Sequence, residues 1–216
     1  MINFDLPTFI ALIPALLIGL AFHEYAHAWV ADYLGDPTPR SQGRLTLNPL
    51  VHLDLFGTIM ILFFRFGWAK PVQINPYNFR GNPLRARMFV SLAGPVMNLS
   101  IAFISMLIWG ICEIFLQDSV WWQAFLPVLI NIVSLNIGLG IFNLIPIPPL
   151  DGFAVLGGIL PRNLAEKLWS LEPYGILILM VLLFTNVLGK VLVPAREAIL
   201  NLYENIIIYV IRLFLG

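Results

Sequence analysis

Charge is scarce in this chain. Only 11% of its 216 residues are Asp, Glu, Lys or Arg, and 59% are hydrophobic. A soluble domain carries about 25% charged residues. Apolar stretches recur from end to end, so the chain reads as one membrane-embedded body rather than a soluble domain with an anchor. The net charge is zero, which removes the basic footprint of a nucleic-acid binder. A single cysteine, Cys112, excludes an internal disulfide framework and a cysteine-rich metal site. Three histidines are too few for the several histidine clusters of a membrane di-iron oxidase or desaturase. No low-complexity tract and no solenoid-length repeat is present. Residues 1–5 contain no basic side chain, and the apolar run after them is too long for a signal core. The N-terminal helix is therefore expected in the mature chain.

What is present is a series of long apolar helices. The first is expected over residues 6–33, with Pro7 in its first turn, Pro14 inside it and Gly35-Asp36-Pro37 stopping it. A non-helical region follows, in which 44–47 alternates like a short strand. Residues 53–66 are apolar but shorter than the ~20 a simple span needs, so they fit a short span, a re-entrant piece or an interfacial helix. The stretch 67–76 reads as an extended loop. Further spans are expected over 88–116 and 124–144, with Trp121 and Trp122 as an interfacial aromatic belt between them. The second of these breaks at Pro146-Ile147-Pro148-Pro149. An apolar run covers 174–188, and a last helix is expected from Pro194. The fold class is thus an all-α polytopic membrane bundle of about four to six spans, with a small β-like loop region after the first helix. It forms one domain over 1–216, with a core over 6–160 and C-terminal helices over 172–216.

Basic residues set the orientation. Arg40, Arg44, Arg65, Lys70, Arg80, Arg85, Arg87, Arg162 and Lys167 lie in loops that should face the cytoplasm, and the turn near 117–123 has none. A multi-pass protein of the plasma or inner membrane is expected.

His23-Glu24-Tyr25-Ala26-His27 carries the chemistry. Histidines at i and i+4 share one helix face and can reach one metal ion, with Glu24 placed to take a proton from water. Zinc lowers the pKa of a bound water to about 7. Three ionisable side chains inside an apolar helix also need a compensating partner, and a cation is one. His23 lies nine residues before Asp32, roughly 14 Å from the cytoplasmic end of the helix at 1.5 Å per residue. A catalytic zinc usually takes three protein ligands. The best third candidate is Asp151, which follows the proline break, where an open backbone at membrane depth must line a cavity or be buried in protein. His52 and Asp54 are the alternatives.

These segments resemble the site-2 protease family of intramembrane zinc metalloproteases. His23-Glu24-x-x-His27 matches its zinc motif, and Asn143-x-x-Pro146-x-Pro148-x-Leu150-Asp151-Gly152 matches its second signature. The stretches 47–54, 67–72 and Ala93-Gly94-Pro95-x-x-Asn98 look like intervening family segments. The resemblance covers residues 15–160 and describes a compact member without a PDZ or other appended domain. It implies one zinc per chain held by His23, His27 and Asp151. It makes Glu24 the general base and then the proton donor to the leaving amine. Asn143 holds substrate or stabilises the oxyanion.

The implied partners are a transmembrane protein or peptide substrate and the lipid bilayer. Such a substrate helix must unwind before its peptide bonds can be cut. The loop bearing Trp68, Val72 and Ile74, or the stretch 44–47, would then pair with it as an added strand. Proline at Val72 or Ile74 should lower cleavage of a helical substrate. Two rival classes remain open at this point: a polytopic ion or metal transporter, suggested by the broken span and intramembrane charges, and an inactive binding homologue. Asn98, inside an apolar span, reads as an interhelix hydrogen bonder.

Overall fold

The computed structural model describes residues 6–54, 56, 57, 60 and 69–215. Among these the architecture is helical, with one isolated antiparallel bridge, Leu53 to Ala69, and no sheet. Helix α1 spans Leu6–Tyr33, and two single turns follow, α2 (Thr38–Ser41) and α3 (Pro49–His52). The long helices α4 (Pro83–Leu116) and α5 (Val120–Asn143) come next. The short α6 (Asp151–Ile159) and α7 (Arg162–Trp169) lead to α8 (Gly175–Phe184) and α9 (Val187–Leu215). Four stretches are long and apolar enough to cross a membrane: Ile10–Tyr33, Pro83–Leu116, Val120–Asn143 and Arg162–Phe184. Most of the expected segment 53–66 lies outside the described residues.

Helices α1, α4 and α5 pack against one another and form the body of the molecule. Their contact surfaces are built from small residues. Ala11, Ala15, Ala21, Ala26, Ala28 and Ala31 are buried along α1. A Cβ on Gly140 of α5 would meet the Leu99 side chain at 2.9 Å. Lipid supplies no hydrophobic drive between helices, so close backbone approach and van der Waals contact hold such bundles together. Outward faces are apolar and open, as at Trp29, Ile104 and Phe125.

The end of α1 is a Schellman motif: Asp36 N–H donates to Ala31 O at 2.9 Å and Gly35 N–H to Asp32 O at 3.0 Å. Gly35 takes φ +108° there, and any side chain would strike Arg80 and the Asn78 carbonyl. The Asp36 carboxylate is fully buried. It accepts from Thr38 N and Oγ1, from Asn75 N at 2.6 Å and from Asn78 Nδ2 at 2.9 Å. It therefore ties the segment carrying residues 69–78 to the end of α1. Burial alone would raise its pKa, but the donors of Thr38, Asn78 and Asn75 outweigh that and hold it below the usual carboxylate range.

Several expectations are corrected. Residues 44–47 form no strand, and the chain bends at Leu45 and Thr46. Arg44 is buried, and its guanidinium donates to Val51 O at 2.6 Å, which folds the segment back on itself. Trp122 is buried and donates to Glu113 Oε2 at 3.0 Å, so only Trp121 stands outward as an anchor would. Helix α4 begins at Pro83 because Asn82 caps it, its side chain accepting from Leu84 N and Arg85 N. The last helix begins at Val187, with Pro194 inside it. The break lies upstream at Asn186, whose φ of 54° ends the run after α8.

Candidate metal centre

One helical turn separates His23 from His27, and their rings meet edge to face with centroids 4.6 Å apart. Their Nε2 atoms lie 3.0 Å apart. The third group arrives from the far end of α5. Pro146, Pro148 and Pro149 cannot extend that helix, and the chain turns through Ile147 N–H to Ile145 O and Leu150 N–H to Ile147 O. It restarts as α6 with Asp151 in the first turn, where the helix dipole favours a carboxylate. Gly152 permits the turn, since any Cβ there would run into the Leu144 and Ile145 backbone. Asp151 Oδ2 lies 3.1 Å from His23 Nε2 and 3.3 Å from His27 Nε2.

The second ring nitrogens decide what these three atoms can bind. His27 Nδ1 lies 2.7 Å from the Val90 carbonyl, which only accepts, so Nδ1 carries the proton. His23 Nδ1 faces Asn98 Oδ1. The Asn98 Nδ2 protons go to Gly19 O at 2.9 Å and Asn136 Oδ1 at 2.8 Å, which fixes that amide with its oxygen toward the ring. In the neutral imidazoles both Nε2 atoms therefore present lone pairs, with a carboxylate oxygen beside them. Three acceptors facing one another repel unless a cation sits among them. Zinc–nitrogen bonds of about 2.0–2.1 Å in tetrahedral geometry separate neighbouring ligand atoms by about 3.3 Å, close to the spacings found here. The donor set fits zinc.

Gly94 completes the cradle. Its backbone lies against both rings, and a Cβ there would come within 2.6 Å of His23 Cε1, His23 Nε2 and His27 Cε1. The Ala93-Gly94-Pro95 stretch, noted above only as an intervening family segment, therefore packs against the imidazoles themselves.

Glu24 is buried beside the pair, and its Oε2 accepts the Val72 backbone N–H at 2.9 Å. The loop 69–75 thus meets the motif through its main chain. Val72 is half-buried, and Ile74 packs against a cluster of Ala31, Phe79, Ala86 and Val90. Trp68 lies outside the described residues. Asn143 closes α5, and its Nδ2 donates to Leu139 O at 3.0 Å within its own helix. The alternative ligands turn elsewhere. His52 Nε2 donates to Thr46 O at 2.7 Å, and Asp54 Oδ1 accepts from Gly57 N at 2.8 Å. Among the described residues, His23, His27 and Asp151 are the one group of metal-binding side chains that converges. Sequence reasoning passed over Asn136 and the Asp36 node. Asn136 is one of three asparagines in the apolar α5, and that composition was the available signal for it.

Comparison with known proteins agrees with this geometry. Residues 11–116 match the model of peptidase family M50. The chain is 39% identical over 201 residues to YwhC of Bacillus subtilis, a protein named as a zinc metalloprotease, covering 90% of this chain and 91% of that one. It is 32% identical over 189 residues to Rip2 of Mycolicibacterium smegmatis, covering 84% of this chain and 70% of that one. It is 30% identical over 155 residues to MJ0611 of Methanocaldococcus jannaschii, covering 71% and 73%. Both of these are likewise named as zinc metalloproteases. No solved structure matches the chain. The matches favour hydrolysis over ion transport or an inactive binding role. The chain belongs to peptidase family M50, the site-2 protease family, and is a membrane zinc metalloprotease.

Proposed function

We propose that His23, His27 and Asp151 hold the zinc of this intramembrane protease, and that Glu24 is its general base. The observation that carries the reading is the triangle of two Nε2 lone pairs and one carboxylate oxygen, with edges of 3.0, 3.1 and 3.3 Å. Zinc held there supplies Lewis acidity, which acidifies water and polarises a peptide carbonyl.

The remaining work falls to the side chains. Glu24 takes the proton of the attacking water and returns it to the leaving amine. The Val72 amide occupies one of its oxygens, and the other is assigned to proton transfer. The Asn143 amide has a second N–H beyond the one given to Leu139, and that proton can donate to the developing oxyanion.

The substrates are membrane-associated proteins, as the family implies. We assign to the extended segment 69–75 the role of pairing with an unwound transmembrane segment, with the Val72 and Ile74 region and neighbouring Trp68 contacting it. The bridge of Leu53 to Ala69 and the Lys70 N–H bond to His52 O show this backbone already used for strand-like pairing on one edge. The basic residues support an orientation with the active site nearer the cytoplasmic side of a plasma or inner membrane, and we read the chain as one metalloprotease domain over 1–216. The test is cleavage of a labelled transmembrane peptide by the full chain in detergent or lipid. Wild type should yield product, and Glu24→Gln or a chelator should abolish it. Product from Glu24→Gln at the wild-type rate would refute the assignment.

A further inference from the structure

We infer that Asn136, on a different helix from every zinc ligand, is a positioning residue for the metal site. This rests on the zinc reading above and deepens it. Asn136 is fully buried in α5 among apolar neighbours, where an amide is costly unless all its groups are satisfied. Its Nδ2 donates to Ile132 O at 2.8 Å, one turn back in the same helix. That bond orients the amide, leaving Oδ1 to accept from Asn98 Nδ2 at 2.8 Å. Asn98 is thereby oriented in turn, with its own oxygen toward His23 Nδ1.

The consequence is chemical. An Asn98 amide rotated by half a turn would offer N–H to His23 Nδ1. The ring proton would then move to Nε2, the atom that must bind zinc. Rotation is opposed because it would set the Asn98 oxygen against two acceptors, Gly19 O and Asn136 Oδ1. Only the first of these is backbone. Asn136 supplies the second, and passes the fixed direction of the Ile132 carbonyl through two amides to the imidazole. Outer partners of zinc-bound histidines commonly control affinity by 10–100-fold on removal.

Zinc affinity of the full-length protein in micelles, measured by competition with a zinc-reporting chelator, tests this. Asn136→Leu should bind zinc about tenfold more weakly, and Asn98→Ala at least as weakly. The double variant should be no weaker than Asn98→Ala alone, because Asn136 acts only through Asn98. Unchanged affinity in Asn136→Leu, or losses that multiply in the double variant, would overturn the inference. Should the leucine variant not assemble, Asn136→Ala removes the same acceptor with less bulk and should show the same roughly tenfold loss. A folded Asn136→Ala protein with wild-type zinc affinity would equally overturn it. Wild-type protein without stoichiometric zinc would instead sink the metal reading itself.

Discussion

Asp36 and Asp151 are both carboxylates withdrawn from water, yet their partners differ in kind. Asp36 is surrounded by donors: two amide N–H groups, a hydroxyl and a side-chain amide. Asp151 faces two imidazole nitrogens whose protons have been drawn to the opposite side of each ring. The first arrangement is closed and stabilises a turn. The second presents acceptors alone, a set that a cation would satisfy. Counting donors against acceptors separates a structural acid from a candidate ligand, where burial alone does not.

The largest expected effect breaks the second arrangement. Asp151→Ala should lose stoichiometric zinc, read by metal analysis, and all detectable peptide cleavage, while the bundle stays folded by circular dichroism. Retained zinc would mean that the carboxylate is not a ligand. Next comes Gly94→Ala, which adds one methyl group against both rings. It should weaken zinc binding by at least about tenfold, although residue 94 has no ligating atom. Val72→Pro removes the donor to Glu24 and should lower kcat by about 10–100-fold with zinc retained. Gln73→Pro keeps that donor, so any loss it causes should fall on KM.

The smallest effect concerns the closed arrangement. Asp36→Ala strands several buried donors and should cost about 3 kcal/mol of stability, seen as a lower Tm, with zinc still bound. The pH dependence follows from its depressed pKa. A carboxyl held below 3.8 in the folded protein stabilises it above that value, and the contribution disappears as pH falls through the folded pKa. Wild type should therefore lose stability in acid more steeply than Asp36→Ala. Parallel acid profiles would show that the node contributes nothing through its charge.

Much of this was legible from local pattern. His23 and His27 declare themselves because helical spacing alone puts them on one face. Asp151 does so because three prolines must open the helix before it. Three of the four stretches of spanning length follow from composition, whereas the fourth, Arg162–Phe184, takes in Arg162 and Lys167, which were expected in a loop before an apolar run over 174–188. The remainder depends on contacts between distant segments. Asp36 lay in a sequence that signals only a helix stop, and nothing local shows that Asn75 and Asn78 will return to it. Gly94 lies 71 residues from His23 in the chain, and its role emerges only when α4 crosses α1. Arg44–Leu47 had strand-like alternation, but the buried guanidinium found carbonyl partners at Val51 and overrode it.

The bond from the Val72 amide to Glu24 has a practical corollary for anyone hoping to retarget this protease. Grafting a foreign loop between residues 69 and 75 would replace the main-chain support of the proposed general base along with the proposed substrate-pairing edge. Such chimeras should vary in turnover as much as in preference. Any library built there would need to preserve a main-chain donor at position 72 before its side chains are diversified.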